Sequence, residues 1–281
     1  MTFGNFIPEV WDSELLLNFR QQVIAASLAN RQYEGTLAQG NTVHITTAVD
    51  VAIKDYKHGV QTDGSTPRTT APDAIDVTQL DLVIDQEKSF DFLVDDIDRV
   101  QAAGSMSAFT ESASLGMATD ADKFLLTQWA GAATAPDSAV ASITSGDAAF
   151  GIIRDLRKTL NKAHVPQNSR YLLCNAEFEG WLLDANSKLV PVMEAGTSQA
   201  MREGTIGRAL GFTIVTTENL PVTAHPQALA VYAPGVAYVS QIEKTEPMRH
   251  TTSFSDRLRG LHVYGAKVIR SAALAIYTAT A

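Results

Sequence analysis

The residues most able to bind a ligand or take part in a reaction are three acidic ones that lie close together in the sequence, Asp95, Asp96 and Asp98. Carboxylates at this spacing could bind a divalent metal ion, because hard cations prefer oxygen ligands. They could instead cap a helix, since the unpaired amides at a helix N-terminus attract carboxylates. A proline-free stretch that runs past Trp129 follows directly. We therefore interpret the cluster as a helix cap and predict no metal site.

No other group of residues has the spacing of a known catalytic site. The six histidines show neither H-x-x-x-H nor H-E-x-x-H spacing. Gly204, Gly207 and Gly211 match neither a dinucleotide-binding loop nor a phosphate-binding loop, and no G-x-S-x-G motif occurs. The sequence predicts no catalytic residues and no cofactor, hence a protein that is not an enzyme. An α/β enzyme whose catalytic residues meet only in space is the alternative.

The composition indicates a folded protein with no strong attraction to nucleic acid. Of 281 residues, 45% are hydrophobic and 19% are charged, which is usual for globular domains. The net charge of −9 argues against a broad contact with phosphates, although an acidic protein can still enclose DNA. The single cysteine, Cys174, lies in an apolar run and is predicted to be buried. No signal peptide or apolar run of membrane-spanning length is found, so we predict a protein made in the cytosol without a membrane segment.

Two alternating stretches and a long helix dominate the first half of the chain. Apolar and polar residues alternate without interruption over residues 80–95, and a second alternating stretch begins at Thr42. Alternation with period two predicts strands with one buried face. Residues 56–76 between them are polar and rich in turn formers, so we predict one long hairpin with an arm-like tip. This hairpin and a helix from Asp95 past Trp129 suit a subunit that reaches its neighbours.

The remaining chain predicts a block of alternating helices and strands, which is typical of an α/β layer structure. The small-residue segment 131–146 marks a domain boundary before this block. We predict helices over residues 6–30, 147–164 and 176–183, the last of them capped by Asn175. We predict strands over residues 170–174, 212–216, 228–232, 236–240 and 257–270, and a shorter strand over 272–276.

Charge is distributed unevenly along the chain. Residues 73–98 contain nine acidic residues and one basic residue, a net charge of −8, whereas residues 242–281 have a net charge of +3. Long strands of opposite sign can pair across a sheet or guide copies of a protein into register. They can equally be ordinary solvated faces.

Short segments spread over nearly the whole chain resemble one family. The segments are FIPEVW at residues 6–11, IDQEKSF at 84–90 with VDDID at 94–98, GRALGF at 207–212 with ENLP at 218–221, and VYGAKV at 263–268. In their order and spacing they resemble the major capsid proteins of tailed bacteriophages, which have the Hong Kong 97 capsid fold.

The resemblance implies an α+β fold with named parts. These are an N-arm (1–33), an extended E-loop hairpin with peripheral-domain strands (34–94), a spine helix of the peripheral domain (95–133), an α/β axial domain (134–245), a peripheral-domain return strand (246–270) and a C-terminal strand of the axial domain (271–281).

The resemblance also implies a function. Copies of the chain would form pentamers and hexamers of an icosahedral virion capsid, assembled in the host cytoplasm around double-stranded DNA that is not bound by sequence. Scaffolding, portal and decoration proteins would be separate partners, since no long scaffolding segment precedes the arm. An encapsulin-type shell around protein cargo is the alternative. We predict contacts between copies at Trp11, Lys54, Lys57, His58, Arg68, Asp81, Asp85, Arg257 and Arg259.

Overall fold

A computed structural model describes residues 23–34, 41–48, 53, 77–95, 107–136, 142–184 and 207–279. The helices are α1 (Ala25–Leu28), α2 (Ser107–Ala132), α3 (Gly146–Lys162) and α4 (Ala176–Leu182). The strands are β1 (Thr42–Ala48), β2 (Val77–Val83), β3 (Gln86–Asp95), β4 (Arg170–Cys174), β5 (Arg208–Ala209), β6 (Phe212–Thr216), β7 (Gln227–Tyr232), β8 (Val236–Arg249), β9 (Ser255–Val268) and β10 (Leu274–Thr278). None of these helices is long and apolar enough to cross a membrane.

A five-stranded sheet lies between two layers of helix. Its strand order is β10-β7-β4-β6-β5, with β4 and β6 parallel and the other neighbours antiparallel. Alternate residues of β4 point to opposite sides: Leu172 and Cys174 pack with α3 and α4, while Leu173 packs with α2. This arrangement confirms the α/β layer that the alternating elements predict.

A three-stranded antiparallel sheet of order β3-β9-β8 lies beside the first sheet. Tyr264 of β9 packs edge-on against Phe124 of α2, and its hydroxyl donates to Asp120 at 2.9 Å. Leu125 and Trp129, further along α2, are completely buried. Helix α2 therefore joins both sheets in one apolar core.

The hairpin of β1 and β2 covers the other side of the three-stranded sheet. Its residues Val43, Ile45 and Leu82 pack on Val239 and Val263. The antiparallel pairing of Thr42–Ala48 with Val77–Val83 confirms the base of the predicted hairpin. The predicted tip, residues 56–76, lies outside the described residues.

The long alternating stretch is two strands rather than one. It breaks at Ile84 and Asp85, so that β2 pairs with β1 while β3 pairs with β9 in a different sheet. The backbone of β2 crosses the three-stranded sheet directly over Gly265, where an added Cβ would lie 2.4 Å from the carbonyl oxygen of Val83. Alternation survives the break because both strands keep the same face buried, and the sequence pattern therefore hides the crossing.

The predicted cap of the long helix is described only at Asp95. Asp95 is the last residue of β3 and pairs with Ser255, so the helix does not include it. The described helix begins at Ser107, and Asp96 and Asp98 lie outside the described residues. The alternating pattern, which includes Asp95, was the better guide at this position because β9 supplies a partner for every residue of β3.

Strand β8 is longer than its sequence predicts. It was expected to end at Ser240 but continues to Arg249, and the predicted domain boundary at 245–246 therefore falls inside a continuous strand. Residues 241–249 are mostly polar and include Pro247, which disfavours a strand. Antiparallel pairing with β9, interrupted only by an irregularity after Ser240, holds them in place.

The other predicted elements agree with the structure to within a few residues. Helices α3 and α4, strands β4, β6, β7, β9 and β10, and the N-cap at Asn175 are confirmed. The first predicted helix is described only from residue 23, where it ends at Leu28 rather than Asn30. Asn30 instead forms an isolated bridge to Ala237.

Candidate assembly surface

One face of the three-stranded sheet carries a ladder of exposed ion pairs. Arg257 grips the carboxylate of Asp91 on the neighbouring strand, with its Nε 2.8 Å from Oδ1 and 3.0 Å from Oδ2, and its Nη2 also contacts Oδ2. Arg259, two residues along β9, donates to Glu246 Oε2 through Nε at 3.2 Å and Nη2 at 2.7 Å. Lys244 contacts the other oxygen of Glu246.

These pairs favour the ionised form of their carboxyl groups. Hydrogen bonds from Lys244 and then Arg259 lower the pKa of Glu246 to about 2. A hydrogen bond from Arg257 holds the pKa of Asp91 below its ordinary value. The face is consequently rich in charges that are already matched, so a partner would not meet a strong field of one sign.

Apolar side chains stand among the ion pairs. Leu93 is 51% exposed and Met248 is 40% exposed, and both lie in register with Arg257. Leu261 borders the same groove, and Phe254, in the turn between β8 and β9, is 80% exposed. Exposed apolar groups beside charges that are already paired are typical of surfaces that bind other proteins.

A second exposed acidic group lies at the base of the hairpin. Asp81 Oδ1 lies 2.7 Å from His44 Nδ1 and accepts from Gln79 Nε2 at 2.9 Å, and these contacts lower its pKa. Asp85, in the connection to β3, accepts from Gln86 at 3.1 Å. Both acidic side chains point away from the apolar core of the hairpin.

The predicted contact residues fall into two separate groups. Arg257 and Arg259 share one face of β9, whereas Asp81 lies close to Lys267, ten residues further along the same strand. At about 3.3 Å per residue this separation is about 30 Å. Trp11, Lys54, Lys57, His58 and Arg68 lie outside the described residues.

The ion pairs show how the oppositely charged segments of the sequence meet in the structure. The acidic strand β3 and the basic strand β9 pair across one sheet of one subunit, with Asp91 and Arg257 as the bonded pair. Pairing across a sheet is thus the interpretation that the structure supports for these residues. Contact of Arg257 and Arg259 with another copy stays a prediction.

A buried carboxylate that the sequence analysis did not single out ties the N-terminal segment to the core. Asp122 Oδ1 accepts from the backbone amides of Ile24 at 2.9 Å and Ala25 at 2.6 Å, and Oδ2 accepts from Asn219 Nδ2 at 2.7 Å. A signal was present in the sequence, since Asp122 lies on the same helical stripe as Leu125 and Trp129. An acidic residue on an apolar stripe indicates a buried polar partner.

The segment that follows Ala25 is fixed to the edge of β8. The amide of Asn30 donates to Val236 at 2.9 Å, and its carbonyl accepts from Tyr238 at 3.1 Å. Further along, Glu34 accepts from the amide of Ser240 at 3.2 Å. Residues 24–34 therefore belong to the body of this subunit.

Two of the family-like segments have clear structural roles. In GRALGF, β5 and β6 form a hairpin whose two turn residues, Leu210 and Gly211, have φ angles of 47° and 84°. Positive φ at both positions is the mark of the tightest hairpin turns and favours glycine. In ENLP, Glu218 accepts from the amide of Ala176 at 2.5 Å, and Asn219 is the partner of Asp122.

The described residues support neither metal chemistry nor thiol chemistry. They contain no group of three or more residues that could hold a metal ion. Cys174 is completely buried, as predicted, and burial raises the pKa of its thiol to about 12. A thiol in this state is a poor nucleophile at neutral pH.

Comparison with known proteins gives consistent matches. A family model described as phage capsid protein matches residues 81–279. A solved chain from Mycobacterium phage Che8 is 44% identical, with a TM-score of 0.89 and coverage of 98% of both chains. The capsid of cyanophage P-SCSP1u has a TM-score of 0.77 at 15% identity, over 98% of this chain and 94% of that one. A virus-like particle from Pyrococcus furiosus has a TM-score of 0.53 at 13% identity, over 85% and 86%. No curated protein sequence matches significantly.

Proposed function

Because this chain belongs to the phage capsid protein family, we propose that its copies form pentamers and hexamers that close around double-stranded DNA. The chain is a major capsid protein of tailed bacteriophages with a Hong Kong 97-type α+β fold, and it builds the icosahedral shell of the virion. Its role is structural and not enzymatic. The family, fold and structural role predicted from the sequence are thereby confirmed.

The match of the phage capsid protein family model to residues 81–279 is the observation that carries this function, and a chain from Mycobacterium phage Che8 extends the likeness to nearly the whole chain. The 44% identity of the Che8 chain extends over 98% of both chains, so it includes the segments that lie outside the described residues. The virus-like particle from Pyrococcus furiosus shares only 13% identity, a level at which the likeness shows the fold alone. Since the matching family model is that of a phage capsid protein, the encapsulin-type alternative is the weaker one.

Enclosure of DNA without base-specific contacts is supported by the charge of the subunit. A net charge of −9 opposes tight binding to phosphates, which dominates the affinity of nucleic-acid-binding proteins. The basic residues Arg257 and Arg259 are already paired with carboxylates of their own chain. A shell of such subunits would hold packaged DNA by confinement.

The two sheets supply the proposed domains. The five-stranded sheet with α3 and α4 would be the axial domain, which meets its neighbours around the axis of each pentamer or hexamer. The three-stranded sheet with α2 would be the peripheral domain, and the β1–β2 hairpin would be the base of the E-loop. Because β8 pairs with β9 along its full length, we move the proposed end of the axial domain from residue 245 to 235.

The predicted contact residues would link copies through the arms. Trp11 in the N-arm and Lys54, Lys57, His58 and Arg68 near the E-loop tip would lie against a neighbouring peripheral domain. The base of that hairpin carries Asp81, which is exposed and acidic. Many such contacts, each weak alone, are multiplied by closed symmetry. Assembly would take place in the host cytoplasm, with scaffolding, portal and decoration proteins as separate chains.

Electron microscopy of the purified full-length protein tests the proposal. Pentamers, hexamers or closed shells are expected, and particles from infected cells should contain double-stranded DNA. Shells that hold only protein cargo would favour the encapsulin-type alternative. A compact monomer or dimer under all assembly conditions would contradict the proposed oligomers.

Deletion of residues 59–72 tests the E-loop assignment. The shortened chain should fold, because the three apolar clusters of the described residues are formed by other parts of the chain, but closed shells should be lost. A chain in which the same residues are replaced by glycine and serine at equal length is the control for loop length. Normal shells from the deletion would refute the assignment.

A further inference from the structure

The buried carboxylate of Asp122 is the side chain whose placement most needs an explanation. Among the described residues it is the only acidic side chain that is buried, and its exposed fraction is zero. Ala121, Leu125 and Leu126 around it belong to an apolar cluster. Burial of a carboxylate is costly unless hydrogen bonds replace its lost water. The partners of Asp122 therefore indicate what it does.

Those partners come from two segments far away in the sequence. The amides of Ile24 and Ala25 donate to one oxygen at 2.9 and 2.6 Å, and the side-chain amide of Asn219 donates to the other at 2.7 Å. Hydrogen bonds to a charged acceptor are stronger than neutral ones, and those from two consecutive backbone amides fix a direction as well as a position. Asp122 thus holds three segments in a single arrangement.

The position of Ile24 makes this arrangement important for assembly. Ile24 follows directly on the long N-terminal stretch, and the next fixed points are Asn30 and Glu34 on the edge of β8. The chain from residue 24 onwards is consequently fixed to its own subunit. Any contact that residues 1–22 make elsewhere starts from this point.

We propose that Asp122 is a positioning residue for assembly, which fixes the root of the N-terminal segment so that residues 1–22 reach a second copy of this chain from one defined place and direction. This inference rests on the proposed function of the N-terminal part of the predicted arm (1–33) as a contact between copies. Asn219 acts with Asp122 by holding its second oxygen, so that the first oxygen stays directed at the two amides.

Four variants separate positioning from general stability. Asp122→Ala removes the acceptor for the two amides. Asp122→Asn keeps an acceptor, and Asn219 can rotate its amide to accept from the new NH2 group. Asn219→Asp brings two carboxylates to hydrogen-bond distance, where like charges oppose each other. The double variant Asp122→Asn with Asn219→Asp restores a donor and an acceptor with their roles reversed.

Hydrogen exchange of the full-length chain, measured by mass spectrometry, reports on the anchor itself. Peptides covering residues 23–30 should exchange about tenfold faster in Asp122→Ala and Asn219→Asp than in the wild type, because the amides lose their acceptor or its orientation. Asp122→Asn and the double variant should stay close to the wild type. The yield of shells per folded subunit should fall several-fold in the first two variants and recover in the other two.

Asn175→Ala is the matched control. Asn175 is another buried polar side chain that holds several segments, through Phe178, Val222, His225 and Gln227, but it lies away from the N-terminal segment. It should lower the unfolding temperature without a change in exchange at residues 23–30. A purely structural role for Asp122 would make the two alanine variants behave alike.

Two results would overturn the inference. Unchanged exchange at residues 23–30 in Asp122→Ala would show that the carboxylate does not anchor the segment, and fast exchange with normal shell yield would show that the anchor does not matter for assembly. If Asp122→Ala does not fold, the decision comes from the double variant. Adding Asp122→Asn to Asn219→Asp should then restore slow exchange at residues 23–30 and the yield of shells. If the wild type itself forms no shells, the proposed function fails, while the exchange measurement still decides the anchor.

Discussion

The two sheets of this subunit satisfy their side chains in different ways. In the five-stranded sheet both faces are covered by helices, and a buried polar residue such as Asn175 completes its hydrogen bonds within the chain. In the three-stranded sheet one end is covered by the hairpin and by α2, while the other exposes Leu93, Met248 and a ladder of ion pairs. The five-stranded sheet is thus covered on both faces within the subunit, whereas the three-stranded sheet has an exposed surface that a neighbouring copy can cover.

The difference suggests that folding and assembly use separate parts of the molecule. Substitutions in the shared core around α2 should prevent folding, whereas substitutions on the exposed ladder should leave the subunit intact. Positions where the hairpin crosses the three-stranded sheet should lie between these extremes. The predictions below test this order, from the largest effect to the smallest.

The largest effect is expected for Trp129→Asp. Trp129 is completely buried where α2 contacts both sheets, so the variant would place a charge without a partner in the apolar core. We expect a loss of more than about 4 kcal/mol in the free energy of unfolding, which is a large fraction of the stability of most domains. Leu125→Asp should behave in the same way. Soluble yield and thermal unfolding followed by circular dichroism measure the effect.

Trp129→Phe is the control for this position. The indole Nε1 of Trp129 has no hydrogen-bond partner in the part of the chain that the structure describes. Phenylalanine removes this unsatisfied donor while it keeps most of the apolar contact, so the loss should be much smaller than for aspartate. Equal stability of the aspartate variant and the wild type would contradict the assignment of this face of α2 to the core.

An intermediate effect is expected for Gly265→Ala. An added Cβ would meet the carbonyl oxygen of Val83 at 2.4 Å and the Cα of Ile84 at 2.9 Å, and backbone atoms cannot rotate away. The hairpin would have to move off the three-stranded sheet, at a cost of about 3 kcal/mol. Thermal unfolding and hydrogen exchange of β1 and β2 are the measurements.

Gly180→Ala provides the comparison for Gly265→Ala. Gly180 lies in α4 with no atom near its would-be Cβ, and alanine should stabilise the helix by about 0.5–1 kcal/mol. If both variants lost stability to the same extent, the crossing at Gly265 would not be the cause.

The elements that could be predicted best from the sequence are those with a regular apolar pattern of their own. Helix α3 has a clear apolar face and a polar one, and β4 and β7 are short apolar runs, so their positions were confirmed. Leu125 and Trp129 lie four residues apart, the spacing that places two side chains on one face of a helix, and both are buried. In each case the pattern that predicts the element is also the pattern that buries it.

The misplaced elements depend on contacts that no local pattern contains. Residues 241–249 are a strand because β9 pairs with them, despite Pro247. The break after Val83 exists because the hairpin must leave one sheet for another at Gly265. Asp122 could be suspected from its place on an apolar stripe, but its partners at Ile24 and Asn219 are about 97 residues away on either side.

The smallest effect on folding is expected for Glu246→Gln. Glu246 is in the exposed ladder with Lys244 and Arg259, where solvent and salt weaken ion pairs. At pH 7 the unfolding temperature of the variant should be only slightly lower than that of the wild type, and 1 M salt should remove most of the difference. Differential scanning calorimetry of unassembled subunits is sensitive enough to compare them.

The pH dependence of this small difference has a definite sign. The pKa of Glu246 is lowered from its ordinary value of 4.5 to about 2, so its ionised form is favoured in the folded state. The stability that it contributes is therefore fully present above about pH 4.5 and is lost as the pH falls towards 2. The wild type and Glu246→Gln should differ by a constant amount from pH 7 to 5 and converge below that range. If the ladder also contacts a second copy, the variant will lower shell yield far more than it lowers the unfolding temperature. That behaviour distinguishes this exposed face from the apolar core around Trp129, where a substitution acts on folding itself.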